Sequence, residues 1–276
     1  MNILLIGSGA WPTKIFSGLY SKSTKNQIRQ ISAREFLLQN TKKYSHFDFI
    51  WIATSPDNQI KIISQLQHFS NTIILEKPIF TTCQEYESLK LALMNFKGLA
   101  QMSTIWLYST LWNNSKISLK NIKSIFIKHG YAERRIYCSP LLDWIPHDIY
   151  LLNDLGIQLH QSQLISIEGS ENGTFNLGLK FAKSVSISLF FYRTMQNSFV
   201  WEIESDDTSK ITINFSNRSF KEIKYGEVIK TFTDDSYLNP AESMLEHFLE
   251  MTSSNLEDFI ESHSYLLNYL VAKNIM

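Results

Sequence analysis

Hydrophobic positions in the first hundred residues come as short unbroken runs, with stretches of helical spacing between them. Residues 2–6 (NILLI), 48–54 (DFIWIAT) and 71–75 (NTIIL) are apolar and rich in β-branched side chains, the pattern of strands buried on both faces. Residues 27–31 and 99–104 read as two further strands. Residues 11–20, 33–40 and 84–95 read as helices, and so does a stretch ending at Gln67 that Ser55-Pro56-Asp57-Asn58 opens as turn and cap. Strands alternating with helices predict an α/β domain with a doubly wound parallel sheet over residues 1–110.

The pattern changes after that. Residues 121–129 read as a strand, and 148–155 as a helix closed by Gly156. Strands then follow one another at 164–169, 173–180, 185–193, 199–204, 211–215 and 228–232. Turn-forming clusters such as Glu171-Asn172-Gly173 and Ser205-Asp206-Asp207 separate them. Two helices close the chain, 240–251 with Pro240 at a first helical position, and 256–273. The prediction for residues 111–276 is an α+β domain with an open, mostly antiparallel sheet, its last helices free to pack back on the first domain. Asn113-Asn114-Ser115 reads as the linker.

Composition narrows the function. The chain has 276 residues, 44% of them apolar and 19% charged, enough for two packed cores. Its formal net charge is zero, which disfavours binding to nucleic acid phosphates. The apolar start has no basic leader, and no run approaches the roughly 20 apolar residues of a membrane span. Cys83 and Cys138 form no CxxC pair and read as reduced thiols of a cytoplasmic protein. His46, His68, His160, His247 and His263 lack metal-ligand spacing, so no catalytic metal is expected. Trp51, Phe190, Phe191 and Tyr192 sit in strand runs and read as core.

Four clusters carry candidate chemistry. Gly7-Ser8-Gly9-Ala10-Trp11-Pro12 ends the first strand. Two glycines there allow a tight turn and close approach to a pyrophosphate, and the next helix offers free N–H groups. Pro12 replaces the third glycine of the usual fingerprint. After the second strand, Ser32 and Arg34 stand where an NAD site would place a carboxylate. They read either as a clamp for the 2′-phosphate of NADP or as a helix cap and a solvated charge. Glu76-Lys77-Pro78 follows the fourth strand at the carboxyl edge, where charges face a ligand crevice and proline fixes the backbone, through a cis bond if one forms. Lys77 there can reach both a ribose and a substrate oxygen. The fourth cluster is Asp143-Trp144-Ile145-Pro146-His147-Asp148. Asp143 and His147 share a face if one helix holds both, but Pro146 favours a helix that starts there, with the pair flanking its opening turn. A carboxylate-oriented imidazole is a proton acceptor suited to neutral pH. Asp148 reads as a cap or first-turn acid.

The order GxG, SPxN, EKP and DxxxH, spread over nearly the whole chain, resembles the glucose–fructose oxidoreductase and inositol dehydrogenase family (Gfo/Idh/MocA). The closing stretch Asn255-Leu256-Glu257-Asp258 resembles its last loop and helix. The resemblance implies a Rossmann domain, an open-sheet α+β domain and a homo-oligomer, dimer or tetramer, packed through that sheet. It implies hydride transfer between NADP, or NAD, and a secondary alcohol or ketone of a sugar, cyclitol or nucleotide-sugar. His147 would act as acid/base, with Lys77 and Asp143 orienting the reacting oxygen. The cofactor would lie against Gly7, Ser8, Gly9, Ala10, Trp11, Ser32, Arg34, Thr54, Ser55, Pro56, Asn58, Glu76 and Lys77. Ile145 replaces a usual glycine, Tyr150 stands where a further Asp is common, and the stretch 103–108 lacks a usual Arg. A cofactor-binding sensor or partner-binding protein on the same fold is the alternative.

Overall fold

The computed structural model describes residues 1–20, 27–115, 117, 122–131, 140–169, 174–181, 185–194, 197–234, 240–254 and 256–272. In chain order its elements are β1 (Asn2–Ile6), α1 (Ala10–Tyr20), β2 (Gln27–Ile31), α2 (Ala33–Leu37), β3 (Phe49–Ile52), α3 (Pro56–Gln65), β4 (Thr72–Leu75), α4 (Cys83–Met94) and β5 (Ala100–Met102). Then come α5 (Thr110–Ser115), β6 (Ile122–Tyr131), α6 (Pro140–Asp154), β7 (Gln163–Gly169), β8 (Phe175–Phe181), β9 (Val185–Arg193) and β10 (Ser198–Ser205). The last are β11 (Ser209–Asn214), β12 (Ser219–Lys224), β13 (Glu227–Thr233), α7 (Pro240–Glu250) and α8 (Leu256–Ala272). Contacts divide the chain into two compact units, Met1–Ile105 with Asn239–Leu267, and Trp106–Leu238 with Asn268–Met276. Among the described residues no helix is long and apolar enough to cross a membrane.

In the first unit a parallel sheet runs in the order β2-β1-β3-β4-β5. Its interior strands are the unbroken apolar runs, and Ile3 to Ile6 and Ile50 to Ile52 are fully buried. β2 is an edge strand, so Gln27 and Arg29 stay exposed and its sequence is half polar. The strands are shorter than the apolar runs because Ala53, Ser103 and Thr104 lie in buried loops beyond the carboxyl edge. The helix expected over 33–40 stops at Leu37, since Asn40 caps a separate 3-10 turn by accepting from Lys42 N at 3.0 Å. Thr82 opens α4 with a capping box, its hydroxyl accepting from Glu85 N while the Glu85 carboxylate accepts from Thr82 N.

The second unit holds an eight-stranded sheet in the order β13-β12-β11-β10-β6-β9-β8-β7. β6 and β9 pair in parallel; the other pairs are antiparallel. Alternation along β6 sends Ile125, Ile127 and His129 to the buried face, where Trp144 and Asp148 of α6 meet His129. Phe126, Phe190 and Tyr192 take the opposite phase and are half-buried, so of the side chains read as core only Trp51 and Phe191 are. Three further expectations need correction. Asn113-Asn114-Ser115 is not a linker but the end of α5, which Trp112 anchors by burial and by donating from Nε1 to Asp154 at 2.7 Å. β12 has no counterpart in the apolar pattern, because Phe220 is its only fully buried side chain and Lys221 is exposed. The helix carrying the DxxxH cluster begins at Pro140, well before Pro146. Glu171-Asn172-Gly173 and Cys138 lie outside the described residues, and Cys83 is an exposed thiol.

Candidate active site

The turn after β1 is set by Gly7. Its φ is 153°, and a Cβ there would sit 2.2 Å from the Ala53 carbonyl oxygen, so no other residue fits beside β3. Gly7 N donates to Ile31 O at 2.8 Å, and Gln30 Nε2 donates to Gly7 O at 2.8 Å, tying the turn to β2. Gly9 differs. A Cβ on it would meet only Pro12 Cδ, at 3.8 Å, and Ser8, Gly9 and Ala10 are all exposed. The first backbone bond of α1 is Thr13 N to Gly9 O at 3.2 Å, and Pro12 falls in the first turn, where no N–H is missed. No acidic side chain occupies that turn to compete with an anion. Across the sheet edge Ser32 caps α2, its Oγ accepting from Glu35 N at 3.0 Å, while Arg34 is exposed. A hydroxyl that accepts through its oxygen keeps its proton for a further acceptor, so the cap and the phosphate clamp are compatible roles.

Thr54, Ser55, Pro56 and Asn58 follow β3, with Pro56 buried at the first position of α3. Ser55 makes no side-chain cap; its Oγ instead accepts from Asn58 Nδ2 at 3.1 Å. After β4 the Lys77–Pro78 peptide bond is cis. Glu76 turns inward and is buried, accepting from Trp51 Nε1 at 3.1 Å. Burial pushes its carboxyl above the usual glutamate range, opposed by Ser103, Trp51, Lys77 and Trp11. Lys77 is half-buried. β1, β3 and β4 run parallel, so the Gly7–Trp11 turn, the Thr54–Asn58 turn and Lys77 all leave the same carboxyl edge of one sheet.

Asp143 and His147 belong to the second unit. α6 holds both, one turn apart on one face, with Pro146 inside the helix, giving up the N–H that would reach back four residues. Asp143 is buried and His147 half-buried. The His147 ring lies 6.5 Å from Trp106, 6.0 Å from Trp144 and 6.3 Å from Phe199, between centroids. Asp148 is not a cap. It is fully buried in mid-helix, with Oδ2 2.8 Å from His129 Nε2 and Oδ1 accepting from Trp201 Nε1 at 3.2 Å. Burial raises its carboxyl above the usual aspartate range, against the pull of His129 and Trp201.

Neither a protein-family model nor a curated protein sequence matches the chain. Solved structures do. A dehydrogenase (MviM) from Clostridium difficile superimposes with a TM-score of 0.79 over 99% of both chains, at 16% identity. A Gfo/Idh/MocA family oxidoreductase from Vibrio cholerae gives 0.74 over 100% of both chains, at 12% identity. The chain has the Gfo/Idh/MocA fold. A 3-ketoreductase from Actinomadura kijaniata, solved with TDP-benzene and NADP, shares that fold at a TM-score of 0.73 and 11% identity, over 99% of this chain and 97% of the other.

On this Gfo/Idh/MocA fold the departures from the family pattern are absorbed by packing. Ile145 is fully buried in α6. Tyr150 is buried too, and desolvation, with Tyr108 nearby, holds its phenol well above the usual range and therefore neutral. Gln59, His129 and Asp148 carry no motif that marks them in the sequence as site residues. A weaker signal exists for two of them. Gln59 occupies the i position of the stripe Gln59, Ile62, Ile63, Leu66, and His129 continues the inward phase of Ile125 and Ile127; all of these are buried.

Proposed function

We propose that the chain is an NADP-dependent oxidoreductase of the Gfo/Idh/MocA family, acting on a secondary alcohol or its ketone in a sugar, cyclitol or nucleotide-sugar. One observation carries the reading. An exposed glycine turn that opens a helix and a half-buried lysine leave the same carboxyl edge of a parallel sheet. The residues present fit a dinucleotide. Gly9 leaves open space where a phosphate approaches, the first turn of α1 carries no acid, and Ser32 and Arg34 offer a hydroxyl and an exposed cation at the end of β2. Ala10, Trp11 and the Thr54–Asn58 turn would line the same edge, with Glu76 shaping the loop from beneath. When bound, the nicotinamide supplies or accepts the hydride.

Lys77 offers an ammonium to the reacting oxygen and stabilises negative charge developing there. His147 takes the carbinol proton during oxidation and returns one during reduction. Asp143, one turn earlier on the same face of α6, would help to orient the reacting oxygen. Trp106 and Trp144 beside His147 present apolar surface suited to the C–H face of a ring substrate. The half-buried Phe126, Phe190 and Tyr192 on the outward phase of the second sheet support self-association there, which sedimentation of a Phe190→Glu variant tests.

The deciding experiment titrates purified protein with NADPH by fluorescence, then screens sugars and nucleotide-sugars for turnover at the reduced-nicotinamide band. Lys77→Ala and His147→Ala should bind NADPH and turn over at least about a hundredfold more slowly than wild type. Wild-type turnover in Lys77→Ala refutes the chemistry. NADPH binding without turnover of any substrate in wild type, and no effect of either substitution, favours the sensor alternative.

A further inference from the structure

Gln59 is a glutamine on the apolar stripe of α3 and is fully buried. The two N–H groups of its Nε2 serve three main-chain carbonyls, one hydrogen being shared: Thr54 O at 3.1 Å, Glu76 O at 2.7 Å and Pro78 O at 3.2 Å. Two of these bracket Lys77 in sequence. The third lies in the turn after the neighbouring strand β3. We propose that Gln59 is a positioning residue that sets Lys77 by clamping the main chain on both sides of it and tying that loop to the Thr54 turn.

Three observations support more than a packing role. Gln59 Oε1 is buried with no partner among the described residues, a poor arrangement for stability alone, so the two N–H groups are what the position uses. Leucine would continue the apolar stripe of Ile62, Ile63 and Leu66, but it would take the donor away from the Thr54, Glu76 and Pro78 carbonyls, so the position is kept polar for those main-chain oxygens. The side chain before Lys77 is anchored separately, Glu76 by Trp51, so the loop is held both from its main chain and from its neighbour, beneath a half-buried Lys77. A lysine on a four-carbon stem holds a fixed geometry only if the backbone beneath it does not move. The inference rests on the role proposed for Lys77, but its test needs neither substrate nor cofactor.

The test is the rate at which acetic anhydride acylates Lys77 in the protein without cofactor, read by mass spectrometry across pH 6–10. Gln59→Met keeps the length and removes the donors; Gln59→His restores one N–H. Gln59→Met should raise the Lys77 rate at fixed pH at least about threefold, with other lysines unchanged, and Gln59→His should bring it part of the way back. Coincident Lys77 profiles in wild type and a folded Gln59→Met overturn the proposal. So does a Gln59→His profile no nearer to wild type than that of Gln59→Met. Should Gln59→Met fail to fold, Gln59→Asn, whose amide falls one methylene short, takes its place: a faster Lys77 supports the clamp and an unchanged one overturns it. Adding NADPH to wild type tests the cofactor site separately. If it leaves Lys77 unprotected while the Gln59 dependence holds, the cofactor reading fails and the clamp stands.

Discussion

His129 Nε2 lies 2.8 Å from Asp148 Oδ2, and both side chains are fully buried. His129 is also stacked between Phe191, at 5.0 Å, and Phe199, at 4.5 Å. Asp148 Oδ1 accepts from Trp201 and Oδ2 pairs with His129 Nε2, while His129 Nδ1 has no partner among the described residues. With Asp148 ionised, the imidazole proton sits on Nε2, facing the carboxylate. An asparagine at this position would have one acceptor for two donors. Turning its NH2 toward His129 would force the proton onto Nδ1, where nothing accepts it. Asp148→Asn should therefore lower the free energy of unfolding by about 1–3 kcal/mol. Replacing both partners, as in His129→Phe with Asp148→Leu, should cost less than the sum of the single changes, because no unpaired group remains. Chemical denaturation of the single and double variants checks this; strict additivity would mean that the two side chains do not act as a pair.

The two glycines of the first turn should separate by function. Gly7→Ala places a Cβ against the Ala53 carbonyl at a positive φ, so the loop must move. Destabilisation of about 2 kcal/mol or more is expected, together with weakened cofactor binding. Gly9→Ala meets only Pro12 Cδ, at an ordinary contact distance of 3.8 Å, and should unfold like wild type, yet weaken NADPH at least about tenfold by blocking the approach of a phosphate. Thermal melts with and without NADPH distinguish them. If Gly9→Ala binds NADPH as tightly as wild type, the pyrophosphate does not lie there.

What the sequence made legible was periodicity. The unbroken runs at 2–6 and 71–75 became β1 and β4 because strands buried on both faces cannot be anything but apolar. What it hid were side chains whose partners are distant in sequence. His129 and Asp148 are 19 residues apart, and Trp201 is 53 residues from Asp148. Asp148 therefore looks like a first-turn acid until its partners are placed. Pro146 suggests a helix start because proline usually marks one, and burial of Leu142, Ile145 and Ile149 overrides that preference. β12 stays hidden because a strand near the sheet edge needs few apolar residues. The GxG, EKP and DxxxH clusters are readable as motifs; Gln59, which holds the EKP loop, matches none.

Cofactor choice turns on Arg34. It is exposed in the first turn of α2, two residues past the Ser32 cap. Arg34→Ala removes a forked cation but no packing. It should weaken NADPH by about tenfold or more, leave NADH within about twofold, and leave the melting temperature of the free protein unchanged. Fluorescence titration with both cofactors measures this. Equal loss for the two would place Arg34 elsewhere than at a 2′-phosphate.

Acid should weaken the fold through His263. This residue of α8 is fully buried, stacked on Phe80 at 4.4 Å and edge-on to Phe259 at 5.5 Å, with neither ring nitrogen hydrogen-bonded among the described residues. Desolvation lowers its pKa from 6.5 to about 3. A base with a depressed folded pKa binds its proton more weakly in the folded chain than in the unfolded one. Its contribution is thus complete above pH 6.5 and is lost as the pH falls toward 3. One unit below 6.5, at pH 5.5, the loss should be about 1.4 kcal/mol. Glu76 and Asp148 work in the opposite sense. Their folded pKa values are raised, so the stability linked to them is present at low pH and falls as the pH rises through those values. A single pH profile of wild type mixes these signs, and only a comparison with His263→Leu isolates the imidazole. At pH 8 that variant should be no less stable than wild type, because it removes two buried nitrogens that have no partner. Between pH 8 and 5.5 wild type should lose about 1.4 kcal/mol more than the variant. Parallel profiles would mean that His263 finds a partner or reaches water.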